Sequence, residues 1–246
     1  MQDFRKVPAP DPISRASLPS NSCRSNSRNI APGLALIFDL DGVVVDSMPV
    51  HETAWRQYLE SLGIRDEDLL ARMHGRRNDD IVLDFLGPAA DQQSVREHGS
   101  AKERLYRELM RDRLQDHMVP GVRRFLQEGA GAPLGLASNA ERPNIDFVLD
   151  GADLRSYFQA IVDGSQVEFP KPAPDIYLLA ARELGVEPRN CIVFEDSPVG
   201  IAAARAAGAR VVGLLTRERS LENVALSVPD FLDPQLERWL SLQRPE

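Results

Sequence analysis

The sequence has few of the features that mark secreted, membrane-spanning or nucleic-acid-binding proteins. It contains only two cysteines, Cys23 and Cys191, so a disulfide framework is not indicated and a reducing compartment fits. No apolar run approaches the roughly 20 residues that cross a bilayer, and the N-terminus lacks the apolar centre of a secretory signal. The net charge is -8 and the basic residues are dispersed, which leaves no basic stripe for a nucleic-acid backbone. We therefore expect a soluble, cytoplasmic monomer with neither nucleic-acid nor membrane partners.

A polar tail precedes a chain of ordinary globular composition, in which 43% of all residues are apolar. Residues 1–31 are rich in Pro, Ser, Asn and Arg and show hardly any apolar periodicity. Such a segment cannot repay the entropy lost on ordering, so we expect it to be disordered. Its five basic and two acidic residues fit either a targeting peptide or an overlong start-codon assignment.

Short apolar runs alternate with helical patterns from Leu34 onward. The runs are LALIF (34–38), PLGLAS (133–138), AIVDG (160–164), CIVFED (191–196) and ARVVGLL (209–215). This alternation predicts an α/β fold, a doubly wound parallel sheet with helices on both faces. Residues 49–118 carry only helical patterns and predict an inserted, all-helical cap domain. The core domain would then consist of residues 32–48 and 119–246.

Polar and charged residues follow four of these segments. They are Asp39 and Asp41 after the first strand, Ser138 and Asn139 after the second, Lys171 in the loop FPKPAPD, and Glu195 and Asp196 at the end of CIVFED. Ligands of open α/β sheets bind outside the carboxyl ends of the strands, so we expect these side chains to converge. Each pair of carboxylates near 4 Å would cost about 4 kcal/mol at an effective dielectric constant of 20. Mg²⁺, a hard cation that takes oxygen ligands, would offset this repulsion together with Lys171.

The first of these segments also has ordinary structural interpretations. Asp41 with Gly42 could form a simple turn. The sequence DLDG also resembles the start of a calcium loop. That loop needs oxygen ligands at its fifth and twelfth positions, which here are Val43 and Val50. A calcium loop is therefore excluded, and the turn stays open.

The other segments have structural interpretations as well. Ser138 could satisfy nearby backbone groups, as serine hydroxyls often do. Lys171 could be a solvated loop lysine, although an anion would explain a cation near the start of the following helix. Ser197 fits a helix N-cap, which leaves Glu195 and Asp196 before it unexplained.

Four motifs, FDLDGVVVDS, LASN, KPAPDIY and FEDSPVGIAAARAAG, occur in this order along the chain. The set resembles the motifs of the haloacid dehalogenase superfamily and covers the chain from about Leu34 to Leu215. The helical insertion resembles the subgroup with a small helical cap, which includes sugar-phosphate phosphatases and β-phosphoglucomutase. The resemblance implies a Rossmann-like core and an enzyme, a Mg²⁺-dependent phosphoric monoester hydrolase. Its substrate would be a small phosphorylated metabolite, and the reaction would pass through an aspartyl-phosphate.

The same resemblance implies roles for individual residues. Asp39 would be the nucleophile and Asp41 the general acid and base. The transferring phosphoryl group would be held by Ser138, Asn139 and Lys171. The Mg²⁺ ion would be held by Asp39, the backbone carbonyl of Asp41, Asp196 and, in or beside the shell, Glu195. These roles agree with phosphoryl transfer, in which catalysis is mainly positioning and electrostatic stabilisation.

Other chemistries of the superfamily are less compatible with the sequence. The halide-removing members lack a second acidic residue in the first motif and use no metal, so Asp41 indicates phosphoryl chemistry. Members that cleave carbon–phosphorus bonds use a Schiff-base lysine from the cap. Lys102 is the one lysine of residues 49–118, and its place in the middle of a long polar helix predicts no desolvated setting.

A β-phosphoglucomutase-like mutase is the main alternative to a phosphatase. Such relatives grip a second phosphate with a Ser-Lys-Asn run after the second motif and with a cap arginine. Here Glu141 lies in that run and would repel a second phosphate, which favours hydrolysis. The mutase stays open because His51 and Trp55 resemble its cap hinge and Arg142 could substitute for the lysine.

The cap loop MHGRRNDD is expected to select the substrate. Its candidate contacts are Arg76, Arg77 and Asn78, with Asn78 at the position expected for the mutase arginine. His51 is a further candidate on the cap side. A third interpretation is a phosphometabolite-binding protein without catalysis, since a fold alone does not determine a function.

Overall fold

The computed structural model describes residues 30–65, 68, 78–128 and 131–246. The strands are β1 Ala35–Phe38, β2 Leu134–Ser138, β3 Ala160–Asp163, β4 Cys191–Glu195, β5 Arg210–Leu214 and β6 Leu226–Val228. They form one sheet in the order β3-β2-β1-β4-β5-β6, and every neighbouring pair is parallel. The first strand of the chain thus lies at the centre of the sheet.

Helices connect the strands and cover the sheet. They are α1 Met48–Ser61, α2 Asn78–Leu86, α3 Gln92–Met110, α4 Val122–Glu128, α5 Arg142–Gly151, α6 Asp175–Leu184, α7 Pro198–Ala206 and α8 Pro234–Leu242. Short 3₁₀ helices occur at Arg155–Tyr157, Gly164–Gln166 and Pro188–Asn190. Within the described ranges, none of the helices combines the length and apolar character that a membrane span requires.

Strand β1 is buried on both faces, as its unbroken apolar sequence predicts for a central parallel strand. Successive side chains of a strand point to opposite faces, so Leu36 and Phe38 belong to one hydrophobic cluster and Ala35 and Ile37 to another. The cluster around Phe38 includes residues of α4, α5 and α8, whereas the cluster around Ile37 includes residues of α6 and α7. The sheet is therefore covered by helices on both faces.

Phenylalanine rings fill the first of these clusters. The ring of Phe38 stacks on that of Phe194 with centroids 4.7 Å apart. Phe125 of α4 contacts both strands edge-on, with its centroid 6.0 Å from Phe38 and 5.3 Å from Phe194. Phe231 closes the group at 4.8 Å from Phe125. These rings fix β1 and β4, the two strands whose ends carry most of the predicted site.

Helices α1, α2 and α3 pack on one another through a smaller cluster. It consists of Trp55, Leu59, Ile81, Val82 and Val95. The two connections of this helical segment to the sheet run side by side. The backbone NH of Asp46 donates to the carbonyl of His117 over 2.8 Å, and Val45 forms an antiparallel bridge with Met118. The division into cap and core domains remains a prediction.

The predicted α/β fold and its five strands are confirmed. Strand β6 was missed, because it has three residues and only Val228 is buried. Helix α1 buries Trp55 and Leu59, whereas Leu62 follows its end and is exposed. Residues 1–29 of the predicted tail lie outside the described residues, and Ile30 packs against the core.

The phenylalanine cluster generates a stability prediction. Replacing Phe125 by Ala should lower the free energy of unfolding by about 3 to 5 kcal/mol, because it leaves a cavity among the rings. Phe169→Ala is the matched control, since that ring is 56% exposed and its loss should change the free energy by less than about 0.5 kcal/mol. Urea denaturation measures both values. Equal losses for the two variants would contradict the described core.

Candidate active site

The carboxyl ends of β1, β2 and β4 open into a cavity of about 460 Å³. Every site residue predicted from the four motifs lines it: Asp39, Asp41, Ser138, Asn139, Lys171, Glu195 and Asp196. Because these strands are adjacent and parallel, the residues that follow them meet at one edge of the sheet. The expected convergence is therefore present.

Lys171 is the centre of the polar floor of this cavity. Its Nζ donates to Oδ1 of Asp39 and to Oε1 of Glu195, each over 2.7 Å. The Tyr177 hydroxyl also donates to Oε1 of Glu195 over 2.7 Å, and the Lys171 ammonium lies 4.8 Å from the Tyr177 ring centroid. The lysine is buried and ion-paired. The alternative of a solvated loop lysine is therefore wrong.

Asp39, Glu195 and Asp196 form a buried acidic cluster, with one carboxylate oxygen of each lying within 4.8 Å of the others. Burial, opposed by Lys171 and reinforced by the nearby carboxylates, raises the pKa of Asp39 to about 7. Burial and the charge of Glu195 also raise the pKa of Asp196 well above its usual value. The single ammonium of Lys171 does not balance the cluster.

This donor set fits a hard divalent cation. Three carboxylates offer oxygen ligands of the kind that Mg²⁺ takes, and a second positive charge would relieve their mutual repulsion. The backbone is shaped to admit Asp196, because a Cβ on Gly42 would lie 1.8 Å from its Oδ2 atom. Gly42 also has a φ of 78°, a conformation that favours glycine.

Asp41 lies in different surroundings from Asp39. Its Oδ1 accepts a hydrogen bond of 2.5 Å from the Ser47 hydroxyl and lies 3.8 Å from Nε2 of His51. Burial would raise the pKa of Asp41, but the neighbouring His51 and the hydrogen bond from Ser47 outweigh burial and lower it. The two carboxyl groups are two residues apart, yet their pKa values shift in opposite directions.

Ser138 and Asn139 combine structural contacts with their place in the cavity. The Ser138 hydroxyl accepts a hydrogen bond from the backbone NH of Ala140 over 3.1 Å, in keeping with the turn role considered for it. The side-chain oxygen of Asn139 accepts from the backbone NH of Lys171 over 3.3 Å and so holds the lysine loop against β2. Ser197 is an N-cap, as expected, because its hydroxyl accepts from the NH of Gly200.

The opposite wall of the cavity comes from α1, α2 and α3. His51 and Asn78, two of the predicted cap-side residues, lie on it. The Lys102 ammonium donates to Nδ1 of His51 over 2.8 Å and to Oε1 of Glu103 over 2.9 Å. An ammonium that donates to Nδ1 places the proton of a neutral His51 ring on Nε2, the nitrogen that faces Asp41. The other predicted cap residues, Arg76 and Arg77, lie outside the described residues.

The expectation that Lys102 has no desolvated setting is wrong. Only 2% of its surface is exposed, and burial lowers its pKa while Glu103 opposes that shift. Lys102 lies among polar residues in the sequence, but it belongs to the buried face of α3. That face also contains Val95, Gly99, Tyr106 and Met110 at helical spacing. The helical spacing of these residues was the pattern that could have predicted the burial of Lys102.

The sequence did not suggest several other residues of the site. They are Ser47, Glu103, Asn144 and Tyr177. Tyr177 belongs to the motif KPAPDIY one turn after the lysine loop, so its place was open to prediction. Asn144 carries no such signal, because its partner Glu103 is 41 residues away in the chain.

Several known proteins have sequences similar to this chain. The family model of haloacid dehalogenase-like hydrolases matches residues 34–208. The fructose-1-phosphate phosphatase YqaB of Escherichia coli is 35% identical over 70% of this chain and 92% of its own. The β-phosphoglucomutase of Bacillus subtilis is 33% identical over 73% of this chain and 82% of its own.

A solved structure shows the same architecture. The β-phosphoglucomutase of Clostridium difficile superimposes with a TM-score of 0.72 at 27% identity, covering 84% of this chain and 96% of its own. The motif residues quoted above all lie within the matched range 34–208. The expected superfamily is therefore confirmed, and this chain belongs to the haloacid dehalogenase-like hydrolases.

Proposed function

We propose that this protein is a Mg²⁺-dependent phosphatase that hydrolyses a small phosphomonoester, a sugar phosphate or a similar metabolite, through an aspartyl-phosphate on Asp39. One observation carries the proposal. The Asp39 carboxylate lies at the end of the central strand, faces a cavity of about 460 Å³, and contacts both Lys171 and a cluster of acidic ligands. A nucleophile in such surroundings matches a reaction that transfers a charged phosphoryl group.

The first half of the reaction forms the covalent intermediate. A carboxylate oxygen of Asp39 attacks phosphorus while the bond between phosphorus and the leaving oxygen breaks. Asp41 donates a proton to the leaving alcohol. In the second half Asp41 takes a proton from water, the water oxygen attacks phosphorus, and the Asp39 carboxylate is restored with release of phosphate.

The surroundings of Asp41 suit its part in the second half. Ser47 and His51 lower its pKa and so favour the ionised form that accepts a proton from water. A dianionic phosphate next to Asp41 would raise that pKa, because a like charge disfavours ionisation. A bound phosphate would thus favour the protonated form that donates to the leaving alcohol, and its effect would diminish as the alcohol leaves.

The remaining residues of the site would bind the phosphoryl group and the metal ion. The Lys171 ammonium and the Ser138 and Asn139 side chains lie beside the cavity where they can bind phosphoryl oxygens. Mg²⁺ would be held by Asp39, the backbone carbonyl of Asp41, Asp196 and Glu195. When bound it would act as a Lewis acid that stabilises charge on the phosphoryl oxygens.

A mutase is the second candidate because two of the relatives named above are β-phosphoglucomutases. A mutase must bind a bisphosphate in two orientations. Glu141 lines the cavity here, and its pKa is raised by burial and by the charge of Glu103. A carboxylate at this place opposes a second phosphate, which supports hydrolysis.

The two aspartates should give unequal variants. Asp39→Asn should abolish turnover and leave no covalent phosphate, because the nucleophile is gone. Asp41→Asn should still be phosphorylated by acetyl phosphate, whose leaving group needs no acid, but should hydrolyse the intermediate very slowly. Labelled acetyl phosphate and acid quenching measure hydroxylamine-sensitive label on each variant. Label on the Asp39 variant, or wild-type turnover without Asp41, would show that the roles are wrongly assigned.

Mg²⁺ should stabilise the protein even without substrate. The pKa of Asp39 is about 7 in the folded protein and 3.8 in an unfolded chain. Without Mg²⁺, ionisation of Asp39 therefore lowers the stability of the fold as the pH rises from about 4 to about 7. The rise in melting temperature on adding Mg²⁺ should therefore be larger at pH 8 than at pH 5.5. Asp196→Asn should remove the rise and also lose Mg²⁺ binding by calorimetry, whereas the exposed control Asp112→Asn should retain both. An unchanged Asp196→Asn response would contradict the metal site.

Hydrolysis of the substrate and its isomerisation give different products, so one experiment can distinguish them. Incubation with β-glucose 1-phosphate and a trace of the 1,6-bisphosphate should release inorganic phosphate rather than form glucose 6-phosphate, because Glu141 opposes the second phosphate. Phosphate release and a coupled glucose 6-phosphate assay measure the two products. Efficient isomerisation would establish the mutase instead, and neither product from any phosphomonoester would support a non-catalytic binding protein.

A further inference from the structure

We infer that Glu103 selects against substrates with a second anionic group, so that the cavity takes phosphomonoesters whose leaving group is uncharged. This inference rests on the proposed phosphatase function and adds the charge of the leaving group to it. It follows from how the cations are paired in the part of the cavity that the structure describes.

Lys102 has no donor left for a substrate anion. An ammonium group has three N–H donors. In this structure the three acceptors are Nδ1 of His51 at 2.8 Å, Oε1 of Glu103 at 2.9 Å and Oδ1 of Asn78 at 3.4 Å. The lysine is 2% exposed, so a substrate anion could reach it only by replacing one of these partners.

Glu103 keeps Lys102 in this state. Its carboxylate is 3% exposed and accepts hydrogen bonds from Lys102, Asn78 and, over 2.7 Å, from Nδ2 of Asn144. Burial opposes ionisation of Glu103, but the charge of Lys102 and the hydrogen bonds from Lys102 and Asn78 lower its pKa to about 2. The pair therefore stays ionised and contributes no net positive charge to the cavity.

Asn144 holds the pair in position from the sheet side. It belongs to α5, which follows β2, and its Oδ1 accepts a hydrogen bond of 2.6 Å from Arg107 of α3. Glu103 and Arg107 are four residues apart on α3, so both contact the same amide from one helical face. Removing the charge of Glu103 would leave this second contact in place.

The other described cations that line the cavity are also paired. Lys171 is assigned to the transferring phosphoryl group and is paired with Asp39 and Glu195, and Arg217 is 2.9 Å from Glu52. Two acidic residues, Glu103 and Glu141, line the same cavity, and burial together with the charge of Glu103 raises the pKa of Glu141, as expected where carboxylates are crowded. A second anion on the leaving group would therefore meet carboxylates rather than available cations among the described residues.

A matched pair of substrates tests the inference. Sorbitol 6-phosphate and 6-phosphogluconate share a six-carbon chain and a phosphate position, and they differ at C1 in a hydroxymethyl group against a carboxylate. The wild type should prefer sorbitol 6-phosphate by at least about tenfold in kcat/KM, mainly through KM, since the added charge acts on binding. Fructose 1-phosphate against fructose 1,6-bisphosphate should show the same direction.

The Glu103→Gln variant should reduce this preference at least about fivefold, because it leaves the Lys102 charge unbalanced and keeps the side-chain shape. Glu108→Gln is the matched control, since Glu108 is exposed on the same helix and its loss changes the net charge equally. That control should leave the preference unchanged. An equal change in both variants would overturn the role of Glu103.

A wild-type preference near one, or one for the carboxylated substrate, would overturn the inference even if Glu103→Gln failed to fold. Binding of the same two compounds to Asp39→Asn protein, measured by calorimetry, keeps the test separate from catalysis. Absence of phosphate release from all monoesters would refute the proposed function, whereas the affinity ratio would still decide whether Glu103 selects by charge.

Discussion

The repulsion among three buried carboxylates at the carboxyl edge of the sheet is the constraint on which the site depends. Asp39, Glu195 and Asp196 are brought together because β1 and β4 are adjacent and parallel, so their ends meet. Lys171 neutralises part of the charge and Tyr177 donates a further hydrogen bond. The excess negative charge raises the pKa of Asp39 and of Asp196, and a bound cation would relieve it.

On the helical wall of the cavity, buried charges are neutralised within the wall itself. Lys102 and Glu103 neutralise each other within one helix, and His51 lies between that pair and Asp41. The pKa of Asp41 is therefore set mainly by His51 on the helical wall, whereas the pKa of Asp39 is set by burial and by its charged neighbours on the polar floor. This division explains why two carboxyl groups in one short motif have pKa values shifted in opposite directions.

The fold and the floor of the site were predictable because their signals are local. Apolar runs marked five strands, and the polar residues that end them were visible in the sequence. The helical wall was less predictable. Lys102 was read from the polar residues around it, and its burial depends on packing between α1 and α3. The bond between Asn144 and Glu103 joins distant segments, which no local pattern encodes.

The paired connections of the helical segment have an evolutionary consequence. The chain leaves the sheet at Asp46 and returns at His117, and the two residues are hydrogen-bonded to each other. Because entry and exit share one place, an insertion of another length or shape could occupy it without shifting any strand. The polar floor of the cavity and its helical wall can thus diversify at separate rates, and chimeras joined at these two residues would test whether specificity moves with the wall.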